Sequence, residues 1–289
     1  MFFRIFIILI AGLLSLILAG CSTITIPSKD PPASTIALKE TKECKRTSKI
    51  SLYPNGKEWN ECTRDLAKLA YEYAQMAANV YSSKDSTPFN LSQSLRPLEP
   101  LESLESGLQY RVYERIENGK RSEVIISFSG TNFNSWQDWI FGNIGLTQRS
   151  ESLAIFDRVL TEYGIKPSVT GHSLGGALAT QVSLCRDVKY NMVFDSSSRF
   201  SKRFCGASYE NHNVSVAEFG EINKLLRIFG REPTQRYVSL NCLDEGNSLA
   251  QHNMAKLAAC LTNIAALEDE AATKSKLKNR IPNNPNNWK

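Results

Sequence analysis

The chain has 289 residues, 42% hydrophobic and 22% charged, a composition that excludes a disordered, collagen-like or low-complexity polymer. Its length allows one domain with a large core. The formal charge of +5 arises from 34 basic and 29 acidic residues scattered among one another, so there is no continuous basic track for a nucleic acid.

Arg4, the apolar run Ile5 to Leu18 and the small residues after it read as a secretory signal peptide over residues 1–20. The segment Leu18-Ala19-Gly20-Cys21 resembles a lipobox, where bacterial lipoprotein precursors are cut so that a lipidated cysteine becomes the N-terminus. That resemblance implies acylation of Cys21 and anchoring in the bacterial cell envelope. Ser22 in place of an aspartate favours the outer membrane, by analogy with enterobacterial sorting. Two buried acyl chains, at about 0.8 kcal/mol per methylene, suffice for stable attachment. Residues 21–45 hold Pro27, Pro31 and Pro32 among many Ser, Thr and Lys and read as a flexible tether. The folded domain is expected over 46–275, with 276–289 as a loose tail.

From Thr63, a candidate N-cap, Leu66, Leu69, Ala70, Tyr73, Ala77, Val80 and Tyr81 recur at helical spacing, with the Tyr and Met residues read as core. Two β-type runs, 108–117 and 123–129, flank Asn118-Gly119, a strong hairpin signal. The second is almost continuously apolar and reads as an interior strand. Leu153, Phe156, Leu160 and Tyr163 mark a helix that Gly164 ends. A short strand over 167–170, a small-residue helix over 174–185, strands at 190–194 and 236–243 and a helix over 251–267 follow. Lys274, Lys276, Lys278 and Arg280 read as a solvated helix end. Alternating strands and helices predict an α/β fold with a mostly parallel sheet flanked by helices.

With Cys21 set aside, Cys44, Cys62, Cys185, Cys205, Cys242 and Cys260 form an even set in a chain read as exported. Fifteen pairings are possible, and the order, which falls into couples spaced 18, 20 and 18 apart, favours Cys44–Cys62, Cys185–Cys205 and Cys242–Cys260. Each closed loop contributes on the order of 3 kcal/mol. Zinc is disfavoured because no close Cys-x-x-Cys pair occurs, and no metal is expected.

Gly171-His172-Ser173-Leu174-Gly175 is a G-x-S-x-G sequence between a β-type run and an Ala/Leu-rich helix, the context of a nucleophile elbow. A serine hydroxyl needs a base to remove its proton, and in this fold the base follows an acid in the chain. Of three histidines, His172 lies inside the elbow, where its side chain is expected to point away from the nucleophile and pack or bond locally. His212 sits in a polar surface stretch. His252, between a strand and a helix, is the expected base. Asp244 follows the strand 236–243 and is the expected acid, and Asp195, at the end of the preceding strand, is the alternative. Glu245 is weaker. An oxyanion needs two N–H donors: Leu174 supplies one, and the turn Ser129-Gly130-Thr131 supplies the other through Thr131.

Ile125-Ile126-Ser127-Phe128-Ser129-Gly130-Thr131, Asp138-Trp139 and Thr170 to Ala179 together resemble the class 3, or fungal-type, lipases from about Leu66 to Leu261. The resemblance implies an α/β-hydrolase sheet, a Ser173–Asp244–His252 triad, a Thr131 and Leu174 oxyanion hole and support of the oxyanion loop by Asp138. Phe-Ser-Gly-Thr stands where the family carries Phe-Arg-Gly-Thr, which changes the bracing of that loop. Asp244-Glu245 replaces the usual Asp-Pro. Apolar residues from Phe133 to Phe141 fall where the family has a lid, which points to lipid esters as substrate, with no organic cofactor. A thioesterase or acyltransferase would use the same elbow, and an inactive lipid- or partner-binding lipoprotein would keep the fold without the chemistry.

Overall fold

The computed structural model describes residues 24–27, 59–81, 88–130, 146–198, 200–218, 235–243, 251–284 and 287. Strand β1 (Ile24–Pro27) precedes helix α1 (Glu61–Asn79), and β2 (Leu95–Pro97), β3 (Glu102–Ser103), β4 (Gln109–Glu117) and β5 (Lys120–Phe128) follow. Then come α2 (Leu146–Tyr163), β6 (Ser168–His172), α3 (Leu174–Cys185), β7 (Asn191–Phe194), β8 (Ala207–Glu210), β9 (Asn213–Glu218), β10 (Gln235–Leu240), α4 (Met254–Ala265) and α5 (Glu270–Lys278). Among the described residues no helix is long and apolar enough to cross a membrane.

The main sheet runs β10-β9-β7-β6-β5-β4-β2, with β3 also on β4. From β5 to β10 every neighbouring pair is parallel, and β4, β2 and β3 extend it antiparallel. The β4–β5 hairpin turns at Asn118 and Gly119, both with positive φ (52° and 73°), as a two-residue turn matched to strand twist requires. Along β5, Val124, Ile126 and Phe128 pack toward α2 and α3, while Ile125 packs toward α1 and α4. Its apolar run is continuous because helices cover both faces. A fully buried side chain such as Phe128 contributes roughly 1.5–3 kcal/mol. This is a mostly parallel sheet flanked by helices, as the alternation of strands and helices predicts.

Several local expectations are corrected. The N-cap of α1 is Asn60, whose side chain accepts from the Thr63 N–H at 2.8 Å. Thr63 therefore lies one turn inside the helix, and its own hydroxyl also donates to Asn60, at 2.9 Å. Ile24–Pro27, read as tether, pairs in parallel with β8. Pairing supplies the backbone partners that the polar composition did not suggest. The stretch around His212, read as a surface excursion, holds β8 and β9, with β9 in the interior of the sheet. The helix expected over 251–267 is α4, but a further helix, α5, follows it and runs past residue 275 to Lys278, so the expected domain boundary cuts an element. Asp269 caps α5 by accepting from the Ala272 N–H at 2.6 Å.

Cys185–Cys205 and Cys242–Cys260 are disulfides. Cys62 is also disulfide-bonded, and its expected partner Cys44 lies outside the described residues, as does Cys21.

Candidate active site at the carboxyl edge of the sheet

Strand β6 ends at His172 and α3 begins at Leu174, leaving one residue for the reversal. Ser173 takes φ 57° and ψ −119°, a backbone region costing on the order of 1–3 kcal/mol for a residue with a Cβ. Its neighbours hold it there. The Ser173 N–H donates to the Phe194 carbonyl at 3.0 Å, and its own carbonyl accepts from the N–H of Ser197 at 3.0 Å and of Ala177 at 3.2 Å. Glycines allow the close approach. A Cβ on Gly171 would overlap the Gly175 backbone and lie 2.8 Å from the Gly176 nitrogen, and one on Gly175 would overlap the Phe128 carbonyl. The elbow inferred from the pentapeptide is therefore present as geometry.

In register, Phe128 pairs with Gly171 and His172 with Phe194, so the residues following β5, β6 and β7 emerge side by side. After β5, Gly130 comes so near the elbow that a Cβ there would sit 2.9 Å from the His172 carbonyl and 3.1 Å from the Ser173 Cβ. The Gly130 N–H donates to the Tyr81 hydroxyl at 2.7 Å. That hydroxyl also lies 2.9 Å from His172 Nδ1 and 3.3 Å from the His172 carbonyl. Burial pushes the Tyr81 hydroxyl well above the usual phenol range; the Gly130 N–H opposes this, and the charge of Asp195 adds to it. Tyr81 stays protonated across any working pH and keeps a proton to donate.

Asp195 follows β7 with φ 41° and is fully buried. One carboxylate oxygen accepts from the Glu218 N–H at 2.8 Å, and the other lies 3.9 Å from His172 Nε2. The Glu218 carboxylate in turn accepts the N–H groups of Cys242, at 2.9 Å, and Leu243, at 3.2 Å, tying the ends of β9 and β10 together. His252 is buried immediately before Asn253, whose side chain caps α4 by accepting from the Lys256 N–H at 3.0 Å. Its ring lies 4.4 Å from that of His172, centroid to centroid. One polar atom from each of His172, Asp195 and His252 falls within 4.8 Å of the others. Among the described residues, this is the group that brings three metal-ligating side chains together, and it is equally the arrangement of a base beside its acid.

Ser173, His252, Asp195 and Leu174 are thus all at one edge of the sheet or on the helices that start there. Thr131, Asp244, Asp138, Glu245 and the apolar stretch Phe133 to Phe141 lie outside the described residues. The Ser173 hydroxyl forms no hydrogen bond among the described residues, and catalytic hydrogen bonds often tighten only when substrate binds. His212 is exposed, consistent with setting it aside. Sequence reasoning missed two contributors. His172, expected to pack or bond locally, packs against His252 and faces Asp195, both remote in the chain, and Tyr81, read as core, carries its hydroxyl into the site. Helical periodicity marks Tyr81 as inward-facing but is blind to where its polar end goes.

Residues 65–198 match the family model of a Tle-like phospholipase domain, in line with the class 3 lipase resemblance of the motifs. Among solved structures, the chain is similar to the native lipase propeptide complex of Rhizomucor miehei, with 15% identity over 80% of this chain and 90% of that one and a TM-score of 0.43. It is also similar to M37 lipase, with 14% identity over 74% and 83% and a TM-score of 0.37. No curated protein sequence matches it.

Proposed function

We propose that this class 3 lipase-like chain is a serine hydrolase of lipid carboxylic esters, acting through an acyl-enzyme on Ser173. The observation that carries the reading is the Ser173 backbone, held at φ 57° between β6 and α3, beside a buried His252 and Asp195. A left-handed serine at a strand-to-helix turn lifts its hydroxyl above the sheet edge, where an ester carbonyl can approach.

In this reading His252 takes the Ser173 proton as the hydroxyl attacks and returns it to the leaving alcohol, and a carboxylate orients the imidazole and stabilises its charged form. Asp195 is our choice for that carboxylate because its oxygen lies within the His172–His252 cluster; Asp244, the choice from sequence, is the second. The N–H of Leu174, at the start of α3, and that of Thr131, in the turn after Gly130, are the donors for the oxyanion. These groups supply nucleophile, base, acid and oxyanion stabilisation, so the reaction calls on no metal or organic cofactor. Water then hydrolyses the acyl-enzyme.

The substrate class rests on the phospholipase-like match and on the apolar residues from Phe133 to Phe141. The same reading tethers the mature chain to the bacterial envelope, at the outer membrane, through acylated Cys21. Metabolic labelling with palmitate, lost in Cys21→Ala, tests that part.

A fluorophosphonate probe tests the chemistry. Wild type labels and Ser173→Ala does not, while Ser173→Ala keeps its fold and loses turnover of short acyl esters. A folded wild type that never labels makes the chain a binding module. Turnover compared in water and in added alcohol separates a hydrolase from an acyltransferase.

A further inference from the structure

On the α1 side of the sheet, a cavity of about 330 Å³ opens between the end of α1, the segment before β2, strand β4 and the end of α5. Its volume falls at the low end of ligand pockets, about 300–1,000 Å³. Three cations line it, Arg96, Arg111 and Lys278, together with Tyr113. Their compensation is partial. Arg96 shares the Glu114 carboxylate with Arg121, and Lys278 donates to the neutral carbonyl of Leu91 at 2.8 Å. Arg111 forms no ion pair among the described residues, and its Nε is shielded from solvent without a hydrogen-bond partner. The Tyr113 hydroxyl, on a side chain with no exposed surface, has the Arg111 guanidinium beside it but no acceptor for its own proton. Burial pushes that hydroxyl up to about 12, against the pull of Arg111, so it remains a donor. Glu72, which accepts from the hydroxyl of the lining residue Ser92 at 2.7 Å, is engaged by Arg115.

Unsatisfied buried donors are uncommon in native proteins, and each invites an explanation. Here two of them, a guanidinium nitrogen and a phenol, line one pocket with two more cations. A guanidinium fork matches the oxygens of a tetrahedral anion, and an ammonium adds a point charge.

We propose that this cavity binds a phosphate group, with Arg111 and Tyr113 as the buried donors and Lys278 and Arg96 closing the outer side. The group could be free phosphate or the head of a phosphate-bearing lipid, and the site does not depend on the catalytic reading.

Calorimetric titration of the full chain with inorganic phosphate and with glycerol 3-phosphate, beside flotation with phosphatidylcholine vesicles doped with phosphatidic acid, tests it. At least one of these ligands binds wild type. Arg111→Met weakens binding about tenfold, the scale of one charge-assisted hydrogen bond. Tyr113→Phe, which deletes one oxygen and spares the packing, weakens it severalfold. Lys274→Met, an equal loss of charge on an exposed turn of α5, leaves it unchanged. Binding to doped vesicles that Arg111→Met abolishes assigns the site to a lipid head, and binding of inorganic phosphate alone assigns it to the free ion. No binding of any ligand at tens of millimolar, or equal losses in Arg111→Met and Lys274→Met, overturns the proposal.

Discussion

The N–H of Gly130 donates to the hydroxyl of Tyr81 at 2.7 Å, so the end of the first helix braces the turn that abuts Ser173. The same hydroxyl reaches His172 Nδ1 at 2.9 Å, linking the two arms of the site through one oxygen. In Tyr81→Phe the ring remains and only that link is lost. If the turn presents an oxyanion donor, kcat falls about 10-fold with little change in KM, because the bond serves the transition state more than the bound ester. Steady-state kinetics on a short acyl ester separates this from a loss of binding.

The acid is tested by comparing Asp195→Asn with Asp244→Asn. With Asp195 orienting the base, its replacement lowers kcat by on the order of 10³–10⁴ while Asp244→Asn stays near wild type. The reverse ranking returns the assignment to the strand end chosen from sequence. Glu218 donates its N–H to Asp195, so thermal unfolding of both variants accompanies the kinetics.

The elbow was legible in the sequence because its geometry demands glycine at fixed offsets: 171 and 175 are places where a Cβ meets backbone. The β4–β5 hairpin was legible for a similar reason, since Asn118 and Gly119 tolerate positive φ. What escaped notice depends on contacts remote in the chain. Asp195, the alternative to Asp244 in the sequence, falls in one cluster with His252, 57 positions later, and no local pattern ranks the two acids. β9 was hidden because Asn213 and Ser215 interrupt its apolar pattern; Asn213 is buried against Ser183 and Asn191, a satisfaction that composition does not advertise. The partners of the Tyr81 hydroxyl and the His172 ring are hidden on the same ground, as local pattern indicates burial but not a partner.

Gly175→Ala tests the elbow's packing directly. The new Cβ would run into the Phe128 backbone, which cannot yield as a flexible side chain does. The expected cost is about 2–3 kcal/mol or more, read as a lower midpoint in urea. Because relief requires α3 to move off β5, activity falls further than stability alone explains.

Glu99 gives a pH signature. Burial pushes its carboxyl up, but hydrogen bonds from Arg158 and Tyr163 and the Arg158 charge outweigh this and hold it below 4.5. A carboxyl that titrates lower in the folded state than in the unfolded one adds stability that is complete above its unfolded value and fades as pH falls through the folded one. Glu99→Gln therefore unfolds at lower temperature than wild type at pH 7, and the gap closes below about pH 4. Arg158 is 40% exposed, so added salt narrows the gap at neutral pH. Melting curves across pH 3–7 show whether the difference has that shape.

The disulfides Cys185–Cys205 and Cys242–Cys260 should differ in what they protect. Cys185–Cys205 joins the end of α3 to the segment before β8, and Cys242–Cys260 joins the chain after β10 to α4. Their separations of 20 and 18 residues predict nearly equal entropic contributions, on the order of 3 kcal/mol each. Only the second holds α4, whose first turn follows His252 directly, against the strand end that Glu218 also grips. Replacing Cys242 and Cys260 by alanine should therefore cost about as much stability as replacing Cys185 and Cys205, but lower kcat about 10-fold more, since small displacements of a base are costly to rate. Chemical denaturation and kinetics on both double variants decide it: equal kcat values would mean that α4 keeps His252 in place without its cross-link.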